Sequence, residues 1–124
     1  MVFSEGDKQK PYIGFDAQTS YLTISGSSFP ENADNVYMPV LQWLNELDFS
    51  NLSRISLRVS LKYYNTATSK KLFEIIKKLN DIYSDGHKAE VLWEYFSEDD
   101  DMFESGRYFS ELVEIPFRFI EIAD

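Results

Sequence analysis

The sequence predicts a small α/β sandwich, a mixed five-stranded sheet with three helices largely on one face. Three observations predict it. Ile55, Leu57, Val59 and Leu61 alternate with Ser56, Arg58, Ser60 and Lys62, which is the period of a strand. Leu72, Phe73, Ile75, Ile76, Leu79 and Ile82 recur at the spacing of a helix. Along the chain the elements run β β α β α β α β, an order that builds parallel pairs with helical crossovers. The polar half of the 55–61 strand decides the layering. A parallel strand covered on both faces is apolar throughout, so one face of this sheet is open. That face is a candidate docking or homodimer surface, and an ordinary solvated sheet face would show the same pattern.

The elements follow in order. Residues 1–10 are polar and read as a flexible N-terminal tail, leaving 11–124 as a single domain. Tyr12, Ile13 and Phe15 open a first strand, Asp16–Ser20 turns, and Tyr21–Gly26 returns, which is a hairpin. Ser27–Asn32 is a loop. Asp34 or Asn35 starts a helix through about Leu47, with Val36, Val40, Trp43, Leu44 and Leu47 on its apolar face. Pro39 belongs near its first turn, because deeper in a helix a proline costs ~3 kcal/mol. After a connector, Ser53 or Arg54 begins the third strand. The second helix ends at Ser84-Asp85-Gly86, with Gly86 just past the cap. Ala89–Phe96 is the fourth strand. Ser97–Asp101 leads into a third helix with Met102, Gly106, Phe109 and Val113 inward. Pro116 stops it, and Phe117–Ile122 is the last strand.

Composition narrows the function. With 44% hydrophobic and 16% aromatic residues the chain builds a core. A net charge of −9 argues against nucleic acid and anionic membrane as main partners. Cysteine is absent, which removes disulfides, thiol catalysis and thiolate metal sites. No apolar run reaches the length of a signal peptide core or a membrane span, so a cytoplasmic location is the default.

Catalytic chemistry is poorly represented. His87 is the one histidine and follows Gly86 in a turn. There is no nucleophile elbow, Walker loop or GxGxxG, and no cofactor is expected. Glu98-Asp99-Asp100-Asp101 with Glu104 lacks the alternation and glycine of a calcium loop, and acids there suit the first turn of a helix. Two alternatives stay open. One is a small-ligand or lipid-binding module using the open sheet face or a groove beside Trp93. The other is a metal enzyme built on Glu31 and the acids of 98–104.

The stretch Tyr63-Tyr64-Asn65-Thr66-Ala67-Thr68-Ser69-Lys70 is the most suggestive. Its hydroxyls lie where a strand hands over to a helix N-terminus, whose unpaired N–H groups and dipole favour an anion. A phosphate there adds roughly −1.5 to −2 charges, and Lys70 and Lys71 stand one turn on to neutralise it. An Asn65 or Thr66 that simply caps the helix fits the same residues.

Ser28-Phe29-Pro30-Glu31-Asn32, Trp43-Leu44, Tyr64-Asn65-Thr66, Ser69-Lys70, Trp93 with Tyr95, Asp101-Met102, Glu104-Ser105-Gly106 and Pro116-Phe117 occur in this order. Together they resemble the SiaC family of bacterial regulatory phosphoproteins. The resemblance implies a fold like SpoIIAA and other STAS domains. It also implies a non-enzymatic phospho-switch adaptor. In this scheme a histidine-kinase-like Ser/Thr kinase adds the phosphate and a PP2C-type phosphatase removes it. The unphosphorylated form binds and activates a diguanylate cyclase, which controls cyclic di-GMP and biofilm formation. Asn65-Thr66 matches the family's Asn-Thr, so Thr66 is the implied phosphoacceptor. Ala67 and Thr68 stand where many relatives have serines, which leaves Thr68 and Ser69 as rivals. Tyr63, Tyr64, Asn65, Ser69 and Lys70 are the implied partner contacts. Pro30-Glu31-Asn32 is given a structural or docking role.

Overall fold

The computed structural model describes residues 1–123. Its elements are β1 (Val2–Glu5), β2 (Tyr12–Asp16), β3 (Tyr21–Ser28), α1 (Ala33–Glu46), β4 (Arg54–Tyr64), α2 (Thr66–Ser84), β5 (Lys88–Phe96), α3 (Asp100–Glu111) and β6 (Phe117–Ile122). A short 3-10 turn covers Phe49–Asn51. The strands lie side by side in chain order; the first two pairings are antiparallel and the rest are parallel. The hairpin of β2 and β3 and the mixed sheet are as the sequence predicts.

Register aligns Leu22 with Leu57 and Val91, and Ile24 with Val59 and Trp93. These side chains share one face and are all but inaccessible to solvent. Val36, Tyr37, Val40 and Leu44 of α1 close over it, with Leu72, Ile75, Ile76 and Leu79 of α2 and Met102 and Phe109 of α3. Burying each such aliphatic side chain contributes about 1.5–3 kcal/mol, so the three helices gather on this face. Gly106 lets α3 lie directly on the Trp93 ring, whose Nε1 donates to the Met102 carbonyl at 2.9 Å.

The opposite face is open but not bare. Glu90 accepts from Arg118 at 2.9 Å, Ser56 at 3.2 Å and Arg54 at 3.3 Å. Arg58 holds Glu94 with two bonds of 2.6 and 3.0 Å. The polar residues between the apolar ones thus tie neighbouring strands together, and Ser56 is fully buried beneath them. Bidentate guanidinium–carboxylate pairing is the strongest of these contacts.

Several expectations are corrected. The sheet has six strands, because part of the expected tail is strand β1. Phe3 packs on Trp43 at 5.4 Å, Trp43 packs on Phe15 at 4.7 Å, and the Phe15 N–H donates to the Met1 carbonyl at 2.8 Å. The three apolar residues Met1-Val2-Phe3 stand in a row with no alternation from which to read this. The loop expected from Ser27 starts later, since β3 continues through Ser28 after a register shift beside Gly26, whose φ is +95°. α1 starts at Ala33 because Asn32 caps it, its side chain accepting from the Asn35 N–H. Pro39 therefore falls in the second turn rather than the first. Val36, Tyr37 and Val40, buried around it, hold the helix through the lost hydrogen bond.

Candidate functional site

β3 and β4 run parallel and end together, Ser28 opposite Tyr64. The chain then turns into α2, and Asn65 makes the turn. Its N–H donates to the Ser28 carbonyl at 3.0 Å, and its Oδ1 accepts from the Thr68 N–H at 2.9 Å. Asn65 is therefore the cap, one of the two residues the sequence offered. Thr66 becomes the first residue of the helix and is exposed. It stands at the helix end whose first backbone N–H groups have no partner within the helix, where the dipole favours negative charge.

The three hydroxyls part company here. Thr68 is fully buried. Its Oγ1 bonds the Ser28 Oγ at 2.8 Å and donates to the Ser28 carbonyl at 3.1 Å. The Ser28 Oγ in turn meets the Tyr37 hydroxyl at 2.7 Å. This chain of hydroxyls seals the junction of β3, α1 and α2. The rival acceptor Thr68 thus lies buried, engaged by Ser28 on its hydroxyl. Ser69 is half-buried, and its N–H donates to the Asn65 carbonyl at 3.0 Å.

Burial raises the Tyr37 hydroxyl from about 10 to about 12, with Ser28 and Thr68 drawing it partly back. Below pH 10 Tyr37 keeps its proton in both folded and unfolded chains. Above pH 10 the unfolded chain releases the proton and the folded chain does not, so stability falls between about pH 10 and 12. Tyr37→Phe removes this component at a cost of about 1 kcal/mol for the lost hydrogen bond. Unfolding of both proteins across that range checks it. The parent's advantage should shrink as pH rises, and a constant difference would contradict the linkage.

The two lysines expected to neutralise a phosphate differ in their surroundings. Lys70 is exposed one turn after Thr66 and makes no ion pair among the described residues. Lys71 is engaged with Asp34 at 2.6 Å and Glu74 at 3.2 Å, tying α2 to α1. Asp34 is the main cause of its raised pKa.

Exposed aromatics flank Thr66. Tyr63 is 55% exposed and meets Phe29 edge-to-face at 5.7 Å. Tyr64 faces a groove of about 440 Å³ between the starts of α2 and α3, with Ser69, Asp101, Glu104, Ser105 and Tyr108 on its walls. Burial pushes the Tyr64 hydroxyl up, and the Ser105 hydroxyl draws it partly back. Tyr63, Tyr64, Asn65, Thr66, Ser69 and Lys70 are thus brought to one end of the sheet.

Neither the metal site nor the groove beside Trp93 assembles among the described residues. Among the described residues no three His, Asp or Glu side chains come together to hold a metal ion. Trp93 is fully buried, so the place beside it is core and not a ligand groove. His87 packs against Phe49 at 5.1 Å. Among the described residues no helix is long and apolar enough to cross a membrane.

The family model for SiaC family regulatory phosphoproteins matches residues 4–122. The chain belongs to the SiaC family. An uncharacterised protein of Pseudomonas aeruginosa strain UCBPP-PA14 is 26% identical over 112 residues, covering 90% of this chain and 89% of its own. A chain in the crystal structure of the diguanylate cyclase SiaD in complex with its activator SiaC, from P. aeruginosa, superposes with a TM-score of 0.87. It is 24% identical, with 98% of this chain and 99% of that chain covered. The crystal structure of apo-SiaC from the same organism gives 0.81 at 25% identity, over 94% and 95%.

Ser28, Tyr37 and Tyr108 belong to this end of the SiaC-family fold; the sequence offered Ser28 only as part of a family motif, with no role, and the two tyrosines not at all. A signal for Ser28 was present, since Leu22, Ile24, Gly26 and Ser28 continue the alternation of β3. Tyr37 and Tyr108 carry no such signal, because one is buried by a partner distant in sequence and the other lies outside the core face of α3.

Proposed function

We propose that this SiaC-family protein is a non-enzymatic phospho-switch whose unmodified form binds and activates a diguanylate cyclase. Thr66 is the phosphoacceptor, served by a histidine-kinase-like kinase and a PP2C-type phosphatase in the cytoplasm. The observation that carries this reading is the separation of the hydroxyls at α2: Thr66 is exposed at the helix start while Thr68 is sealed in the core. The P. aeruginosa activator crystallised with its cyclase supports the choice of partner. A phosphate on Thr66 sits on the helix dipole within one turn of Lys70, and it adds charge and bulk to the surface that Tyr63 and Tyr64 present.

Tandem mass spectrometry of the chain isolated from its own cells, with partners co-purified, tests this. Phosphate is expected on Thr66, and a diguanylate cyclase is expected only with the unmodified fraction. Phosphate on Ser69 would move the switch to that residue. A cyclase held equally by both fractions would refute the switch.

A further inference from the structure

The sheet has two free edges, β1 and β6, and they differ in kind. β1 is four residues long and broken by a register shift between Val2 and Ser4, a common way to blunt an edge. β6 is six residues long and pairs with β5 without a break. The Val91 N–H donates to the Pro116 carbonyl at 2.9 Å, and the Ser97 N–H to the Ile122 carbonyl at 3.0 Å. Alternate residues of a parallel strand bond to the same neighbour, so the even-numbered residues here turn their backbone groups to β5. Phe117, Phe119 and Glu121 turn theirs outward, and no described residue bonds to them.

The side chains along this edge are apolar and stand half in water. Tyr95, Phe103, Phe119 and Phe117 form an unbroken row with ring centres 5.0, 5.4 and 6.0 Å apart. All four are only partly buried, as are Ile120 and Ile122 on the other face. α3 leaves them so because Gly106 seats it over Trp93 of β5, one strand in from the edge.

We propose that two copies of this chain pair through β6, antiparallel about a two-fold axis at Phe119. The outward groups select that register. It sets Phe119 against the partner's Phe119, and Phe117 against the partner's Glu121. Every outward N–H and C=O of Phe117, Phe119 and Glu121 then has a partner. The aromatic row of each copy runs on into the other, and aromatic pairs opposite one another strengthen a sheet. β6 carries one arginine and one glutamate, so it is neutral in a chain whose net charge of −9 otherwise opposes self-association. An edge that pairs with itself closes at the dimer. β4 ends at Tyr64, two strands away, so the surface around Thr66 stays open.

Sedimentation velocity of the full chain over a range of concentrations tests this. The parent should form dimers in reversible equilibrium. Glu121→Pro should keep the fold, because the Glu121 side chain is exposed, its N–H faces outward and proline is tolerated on such an edge. By symmetry it removes two hydrogen bonds from the dimer, and it should raise the dissociation constant at least about tenfold. Ile120→Lys sets a lysine against the partner's Arg118 on both sides of the axis and should do the same. Val2→Lys, on the exposed Val2 of the blunted edge, should leave the dimer unchanged. Far-ultraviolet circular dichroism checks that each variant is folded. A parent that stays monomeric up to about 1 mM overturns the proposal. A dimer that persists in both β6 variants also overturns it and moves the contact to another surface.

Discussion

On the proposed switch, Thr66→Glu should leave the fold intact and weaken the cyclase complex by roughly 100-fold, because a fixed negative charge at the contact surface must lose its water. Its effect on stability has the opposite sign. Thr66 is the first residue of α2, and an acid there gains about 0.3–1 kcal/mol from the helix dipole. Loss of binding together with an equal or higher melting temperature separates a switch from simple damage. Thr66→Ala should bind like the parent and no longer respond to the kinase. Asn65, not Thr66, supplies the capping oxygen, so removing the Thr66 hydroxyl leaves the helix start in place. Calorimetric titration with the cyclase reads both variants. A Thr66→Glu protein that binds as tightly as the parent would remove the switch from this residue.

Gly106→Val should cost more stability than any surface change. A β-carbon at 106 would lie 2.5 Å from Cδ1, 2.6 Å from Nε1 and 2.7 Å from Cγ of Trp93. Trp93 cannot yield, since it is fully buried and its Nε1 is held by the Met102 carbonyl. Either α3 lifts from the sheet or the ring leaves its rotamer. Overpacking of this kind costs about 1–3 kcal/mol for a single added methyl, and valine adds more. Against a typical domain stability of 5–15 kcal/mol, the urea midpoint should fall clearly. An unchanged midpoint would mean that α3 is not held this close to Trp93.

The two predictions differ in how far the sequence anticipates them. The hydroxyl cluster, its place at a helix start and the inward glycine of the third helix are all visible in the spacing of residues. Which hydroxyl is accessible is not. Thr66 and Thr68 are two residues apart in a similar context, and only Ser28 and Tyr37, brought in from β3 and α1, bury one and leave the other in water. Lys70 and Lys71 are likewise adjacent, and Asp34 of α1 decides that one is occupied.

Local periodicity by itself determined three helices, five of the strands, the β2–β3 hairpin, Asn65 as one of two candidate caps and Gly86 as the helix terminator. Each depends on side chains within one or two turns of one another. Tertiary structure alone decided the sixth strand, whose Phe3 is anchored by Trp43 some forty positions away. It also decided the second-turn position of Pro39, the ion pairs that clothe the open sheet face and the burial of Thr68. The groove between Tyr64, Ser69 and Tyr108 arises in the same way, because α2 and α3 meet only after β5 has been laid between them. Burial and charge proximity depend on what arrives from elsewhere in the chain, and residue spacing carries no record of that arrival.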